Sequence, residues 1–233
     1  MSKIKVIVVD DHALVRKGIL QLLSKLEDIE VLAEASTGED AVRLAKAMQP
    51  DIVMMDLDMP GIGGMEATKR ILHASSKKIK VLVVTSFETE PFPSKLLELG
   101  ASGYISKDAS PDELKDAVRA VYKGKRYLNP KIAQLLALQR FDSPAGSSES
   151  PFDALSAREI QIIHMIIKGE KVTDIAKKLF LSSKTVNSYR YRFFKKLNVK
   201  TDVEVTHVAA KYGLVTLDKF SAKAEAERNT DDV

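Results

Sequence analysis

The chain contains no cysteine, which excludes disulfides and thiolate metal sites and fits a reducing compartment. No apolar run approaches the roughly 18 residues that a membrane-spanning helix needs. The N-terminus passes almost directly into Ile4-Lys5-Val6-Ile7-Val8-Val9, an apolar run too short for a secretory leader and closed by two aspartates. The expectation is a cytoplasmic protein with no membrane partner. Internal repeats are absent, and most of the chain lacks a dominant charge. Residues 151–215 hold 12 Lys and Arg against 6 Asp and Glu, whereas the remainder holds 24 against 26. The basic excess lies in the C-terminal third, as expected if that part alone meets a polyanion.

What is present is enough for two ordinary domains: 233 residues, 45% of them hydrophobic. Ile4 to Val9 has the continuous β-branched character of a strand buried on both faces of a parallel sheet, and it ends at Asp10-Asp11. Leu14, Ile19, Leu22, Leu23 and Leu26 then recur at helical spacing. Val31 to Ala35 reads as a second strand. Thr37-Gly38-Glu39 opens a helix that Gln49-Pro50 terminates. Asp51-Ile52-Val53-Met54-Met55-Asp56 is a third strand that delivers a carboxylate to its carboxyl end, before the turn Met59-Pro60-Gly61. Lys80 to Thr85 and Ser102 to Ser106 are the fourth and fifth strands, and Lys107 follows. Ser110-Pro111-Asp112-Glu113 starts the fifth helix with a cap, a proline at the first helical position and acids in the first turn. Five strands alternating with five helices predict an α/β, five-stranded, doubly wound, flavodoxin-like sheet of order 2-1-3-4-5 over residues 1–124.

That order places Asp10, Asp11 and Asp56 at one sheet edge, with Thr85 and Lys107 on the next two strands. Three close negative charges need a cation, and hard oxygen ligands with room for water favour Mg2+. A carboxylate nucleophile beside such an ion suits phosphoryl transfer, the Lys107 ammonium and the Thr85 hydroxyl holding the remaining oxygens. Taken singly, an acid at a strand end is a turn or cap residue, and a lysine after a strand is solvated. Their joint occurrence at successive carboxyl ends points to chemistry. His12 reads as a helix-start residue, not a metal ligand.

Val9-Asp10-Asp11-His12, Met55-Asp56-Leu57-Asp58-Met59-Pro60-Gly61, Val84-Thr85-Ser86 and Gly103-Tyr104-Ile105-Ser106-Lys107 resemble the CheY-like receiver domain of bacterial two-component response regulators. The resemblance implies that Asp56 accepts a phosphoryl group from a sensor histidine kinase. Asp10, Asp11, Asp56 and the backbone carbonyl of Asp58 would hold Mg2+. Thr85 and Lys107 would bind phosphoryl oxygens, and Thr85 and Tyr104 would act as a coupled switch. From the residues alone Tyr104 is a half-buried strand aromatic. Asp108 departs from the small residue common after the family lysine.

Residues 125–151 read as a linker with a helical segment that opens at Asn129-Pro130, followed by a Ser/Pro/Gly-rich break from Phe141 to Pro151. Residues 152–217 read as a small all-α unit. Ser156 and Glu159 form a capping box, and Ile160, Ile163, Ile166 and Ile167 make the buried stripe of a helix ended by Lys168-Gly169. A short helix around Val172 to Leu179, a turn, and a longer basic helix capped by Ser182 follow the grammar of a helix-turn-helix. At 100° per residue, Phe193 and Leu197 fall within about 20° of Val186, while Lys184, Ser188, Tyr191 and Lys195 lie opposite, flanked by Asn187 and Arg192. Alone this is an ordinary amphipathic helix; the preceding short helix and the local charge make it a candidate for reading DNA.

Leu181-Ser182-Ser183-Lys184-Thr185-Val186-Asn187 through Lys196-Leu197 resembles the DNA-binding domain of the LuxR/NarL/FixJ class. The resemblance implies a helix in the major groove of double-stranded DNA and a fourth helix, Asp202 to Tyr212, through which a homodimer forms on DNA. Asn187, Ser188 and Tyr191 become base-reading candidates; Lys184, Thr185, Arg192 and Lys195 become phosphate contacts. Tyr189 stands where many family members have histidine. With Thr89-Glu90-Pro91-Phe92-Pro93 and Lys184 to Arg192, the chain is similar to the GacA/UvrY/LetA group, which implies a hybrid kinase and small-RNA targets that act on a CsrA-type translational regulator. Residues 218–233 read as a polar, disordered tail. Two other readings stay open at this stage. A Mg2+-dependent phosphohydrolase would turn over an external phosphate ester, and a constitutive dimerisation platform would bind DNA equally with and without a phosphodonor.

Overall fold

The run Ile4–Val9 forms strand β1 at the heart of a parallel sheet, paired on one side with β2 (Ile29–Ala35) and on the other with β3 (Ile52–Met55). β4 (Lys80–Thr85), β5 (Gly103–Ser106) and the two-residue β6 (Tyr127–Leu128) complete the order β2-β1-β3-β4-β5-β6. This computed structural model describes residues 3–75, 78–88, 91–142, 151, 152 and 154–212. The break expected around 143–150 and the tail from 218 therefore lie outside the described residues.

The five expected strands take the expected order, and β6 adds a sixth from a segment read as linker. After β6, helix α6 (Pro130–Asp142) begins where Asn129-Pro130 predicts, and Asn129 Oδ1 accepts from the Ile132 amide at 2.8 Å. Ile132 is buried, so this segment belongs to the packed body.

Helices α1 (Ala13–Ser24) and α5 (Pro111–Tyr122) cover one sheet face; α2 (Gly38–Met48), α3 (Gly63–Ala74) and α4 (Phe92–Leu99) cover the other. The strands divide by alternation. Val6, Val8, Ile52, Met54, Leu82 and Val84 meet the first layer, and Ile7, Val9, Val53, Met55, Val81 and Val83 meet the second. Each such side chain, fully buried, contributes roughly 1.5–3 kcal/mol before chain entropy is counted. Leu14 departs from the helical pattern: it is 86% exposed.

Helix starts follow the capping chemistry. Thr37, Ser110, Ser156, Ser182 and Thr201 each accept a backbone N–H within the first turn of the helix that follows. The C-terminal unit comprises α7 (Ala157–Ile167), α8 (Val172–Lys178), α9 (Ser183–Leu197) and α10 (Asp202–Lys211). Glu159 completes its box by accepting from the Ser156 amide at 2.7 Å and also meets Lys196 Nζ at 2.7 Å. Arg190 forks onto the Asp202 carboxylate at 3.2 and 2.5 Å, fixing α10 against α9. The apolar layer beneath α3 and α4 continues through Met59, Met65 and Phe92 into Ile160, Ile163 and Ile167 of α7.

Candidate functional site

Parallel pairing brings the carboxyl ends of β1 and β3 side by side, since the Asp56 amide donates to Val9 O at 2.9 Å. Asp10 and Asp56 are both about 1% exposed. Lys107 reaches across from the end of β5, its Nζ 2.7 Å from Asp10 Oδ2 and 2.7 Å from Asp56 Oδ2. The other Asp56 oxygen accepts from the Leu57 amide at 2.7 Å. Asp10 Oδ1 accepts from the His12 amide at 2.8 Å, and Arg16 donates to Asp10 O at 2.7 Å. Gly64 permits this compactness: a Cβ there would stand 1.8 Å from Asp56 O, so only glycine lets α3 start against the strand end.

Burial raises the Asp56 carboxyl pKa, Lys107 opposes that, and the Asp10 charge adds to it. Burial lowers the Lys107 pKa, but the two carboxylates more than offset this and hold the ammonium above its ordinary value. One cation thus faces two buried acids, with Asp11 alongside. Ligand atoms of Asp10, Asp11, His12 and Asp56 lie within 4.8 Å of one another, so the oxygen donors fit a hard divalent cation. His12 precedes α1 as its N-cap, with Nδ1 2.7 Å from Asp11 Oδ1.

Thr85 is buried at the end of β4, where its Oγ1 accepts from the Phe87 amide at 3.4 Å. Tyr104 is wholly buried, not half-buried as the residues alone suggested, and its hydroxyl donates to Phe87 O. The backbone of Phe87 therefore joins both residues of the expected switch pair. Asp58 follows two residues after Asp56, and its carboxylate lies 2.5 Å from Lys168 Nζ at the end of α7. Burial acts to raise the Asp58 pKa, yet Lys168 prevails and holds it low.

On α9, Val186, Phe193 and Leu197 are buried, as the helical wheel predicts. Lys184, Asn187, Ser188, Tyr191, Arg192 and Lys195 are exposed, and Thr185 is half-buried with its hydroxyl 2.8 Å from Ser182 Oγ. Arg192 lies over the Tyr189 ring at 4.2 Å. This face is a ridge of donors with Tyr191 at its centre, suited to phosphates and base edges.

Residues 6–119 match the family model for the response regulator receiver domain, and residues 153–209 match that for bacterial regulatory proteins of the LuxR family. The response regulator GacA of Pseudomonas aeruginosa is 50% identical over 212 residues, covering 91% of this chain and 98% of that one. UvrY of Escherichia coli K12 is 48% identical over 220 residues, covering 94% and 100%. This chain is a response regulator of the LuxR class. Among solved structures, Salmonella typhimurium RcsB aligns with a TM-score of 0.67 at 26% identity, covering 91% of this chain and 99% of that one. RcsB bound to a promoter with the phosphomimetic BeF3− aligns with a TM-score of 0.64 at 26% identity, covering 90% and 100%.

The response regulator is accordingly a two-component transcription factor and not a dedicated enzyme, which removes the phosphohydrolase reading. No helix among the described residues is long and apolar enough to cross a membrane. Sequence reasoning missed a group that the fold adds to the site: Phe87, Phe92, Arg158, Gln161, His164 and Lys168. Nothing in the spacing of Arg158 and Gln161 reveals partners about a hundred residues away.

Proposed function

We propose that Asp56 is the phosphoacceptor of this response regulator and that its acyl phosphate switches the C-terminal unit for DNA binding. The observation that carries the reading is the convergence of Asp10, Asp56 and Lys107 at 2.7 Å in a buried strand-end pocket. An Asp56 carboxylate oxygen attacks the phosphorus of a phosphohistidine on a sensor kinase. The P–N bond breaks, the histidine keeps that electron pair, and a P–O bond forms on Asp56. Lys107 moves from pairing two carboxylates to pairing the phosphoryl oxygens, and Thr85 turns its hydroxyl to the same group. Mg2+, held by Asp10, Asp11, Asp56 and the Asp58 carbonyl, would offset the charge that gathers there.

On the DNA side, Asn187, Ser188 and Tyr191 read base edges, while Lys184, Thr185, Arg192 and Lys195 hold phosphates. α10 carries an exposed Val203 beside its capped start and forms the homodimer contact on DNA, so that two reading helices meet two half-sites. The likeness to GacA and UvrY supports a hybrid sensor kinase, a phosphorelay in the cytoplasm, and target genes for small RNAs that act on a CsrA-type regulator. Incubation with a small phosphodonor and Mg2+ tests the core of this reading. Wild type should label and Asp56→Asn should not; labelling of Asp56→Asn at the wild-type level would overturn it.

A further inference from the structure

The C-terminal unit reaches into the pocket just described. Gln161 Nε2 donates to Met59 O at 3.0 Å, and Arg158 donates to Gly61 O. The Gly61 amide in turn donates to Lys178 O at 3.0 Å. With Lys168 on Asp58, the loop after the phosphoacceptor is gripped at three of its residues beyond Leu57 and before Ile62 by α7 and α8. A second grip falls on the loop after β4. The Phe87 ring stacks on Phe92, centroids 4.5 Å apart, and meets the His164 ring nearly at a right angle with centroids 4.3 Å apart. Lys168 Nζ lies 5.9 Å from the same ring centroid.

Both grips land on groups that phosphorylation must move or recharge. For Thr85 to bond a phosphoryl oxygen it must release the Phe87 amide, while the Phe87 ring is held by His164. For a divalent cation to settle by the Asp58 carbonyl, it must approach a loop whose carboxylate already carries the Lys168 ammonium. The reading face of α9, meanwhile, stays exposed.

We infer that α7 forms a wall of the phosphoacceptor site, with Lys168, Gln161 and His164 as positioning residues that hold the two loops in their unphosphorylated arrangement. The inference rests on the reading of Asp56 as phosphoacceptor. Linkage then makes the coupling reciprocal: what loosens α7 tightens phosphoryl-group binding, and a phosphoryl group loosens α7.

The test titrates the full chain with beryllofluoride in the presence of Mg2+ and follows binding by calorimetry. Lys168→Ala and His164→Ala should each bind roughly 5-fold tighter than wild type or more. Lys168→Arg, which keeps the ion pair, should return to the wild-type affinity, an outcome that general loosening of the fold does not produce. Lys168 is partly exposed, so its replacement leaves the core intact, and a thermal melt checks His164→Ala. Unchanged or weaker binding by a folded Lys168→Ala overturns the inference while leaving the phosphoacceptor reading in place. Absence of Mg2+-dependent binding by wild type overturns both.

Discussion

The pocket around Asp56 and the ridge on α9 are both built from charged side chains, and they treat water in opposite ways. Asp10 and Asp56 are about 1% exposed and Lys107 is wedged between them. Lys184, Arg192 and Lys195 stand in solvent. In the pocket the charges are buried and already paired, so a phosphoryl group must take Lys107 and Thr85 from partners they already hold. On the ridge the exposed cations keep their hydration and ion atmosphere, so the DNA binding proposed for them should depend on salt. A switch needs this division, because chemistry requires a dry, aimed site and association requires an accessible one.

The largest expected effect separates the two regions outright. Asp56→Asn should abolish labelling by a small phosphodonor, and Lys107→Ala should slow it by roughly 10²-fold, as loss of a preorganised donor does. Neither change should alter the binding of DNA by the unphosphorylated chain, which a mobility-shift titration checks. On the ridge, Asn187→Ala should cost about 1–3 kcal/mol at a specific site and less at random DNA. Lys195→Ala should weaken both alike and reduce the salt slope by about 1. Equal behaviour of the two variants would contradict the division into base-reading and phosphate-holding positions.

The smallest effect concerns stability. Folding raises the Asp56 pKa, so the protonated form is favoured in the fold. That contribution is fully present below the ordinary carboxylate range and is lost as pH rises through the folded value. Above that range the raised pKa works against the fold, so Asp56→Asn, which carries no charge, should melt above wild type at neutral pH. The gain should shrink as the buffer is made acid, because wild type is then neutral there as well. Thermal melts of both proteins across pH would sharpen the contrast. A gain that grew on acidification would contradict the buried-charge account.

Much of this was legible in the chain itself, and the reason is chain order. Buried parallel strands announce themselves as short apolar runs, and their right-handed crossovers leave few strand orders to choose from. That is enough to bring Asp10, Asp56 and Lys107 to one edge. The α9 face is equally legible, since Val186, Phe193 and Leu197 keep helical period. Tyr127–Leu128 was not, because a two-residue strand has no periodicity to detect. Leu14 misled the helical pattern because periodicity cannot tell an apolar residue facing the core from one left in solvent. The contacts of Phe87 with His164 and of Asp58 with Lys168 were hidden for another reason. They join residues far apart in sequence, and each residue alone satisfies a local role; Lys168, for example, simply caps α7. The contacts between the pocket loops and α7 are a tertiary property, written in packing and not in any motif.

The central claim, that chemistry at Asp56 governs what the α9 ridge does, is tested most directly by mapping DNA occupancy genome-wide in cells that carry either wild type or Asp56→Asn at equal abundance. The account predicts that sites occupied by wild type are lost or strongly depleted with Asp56→Asn. The same sites occupied to the same extent by both proteins would contradict it.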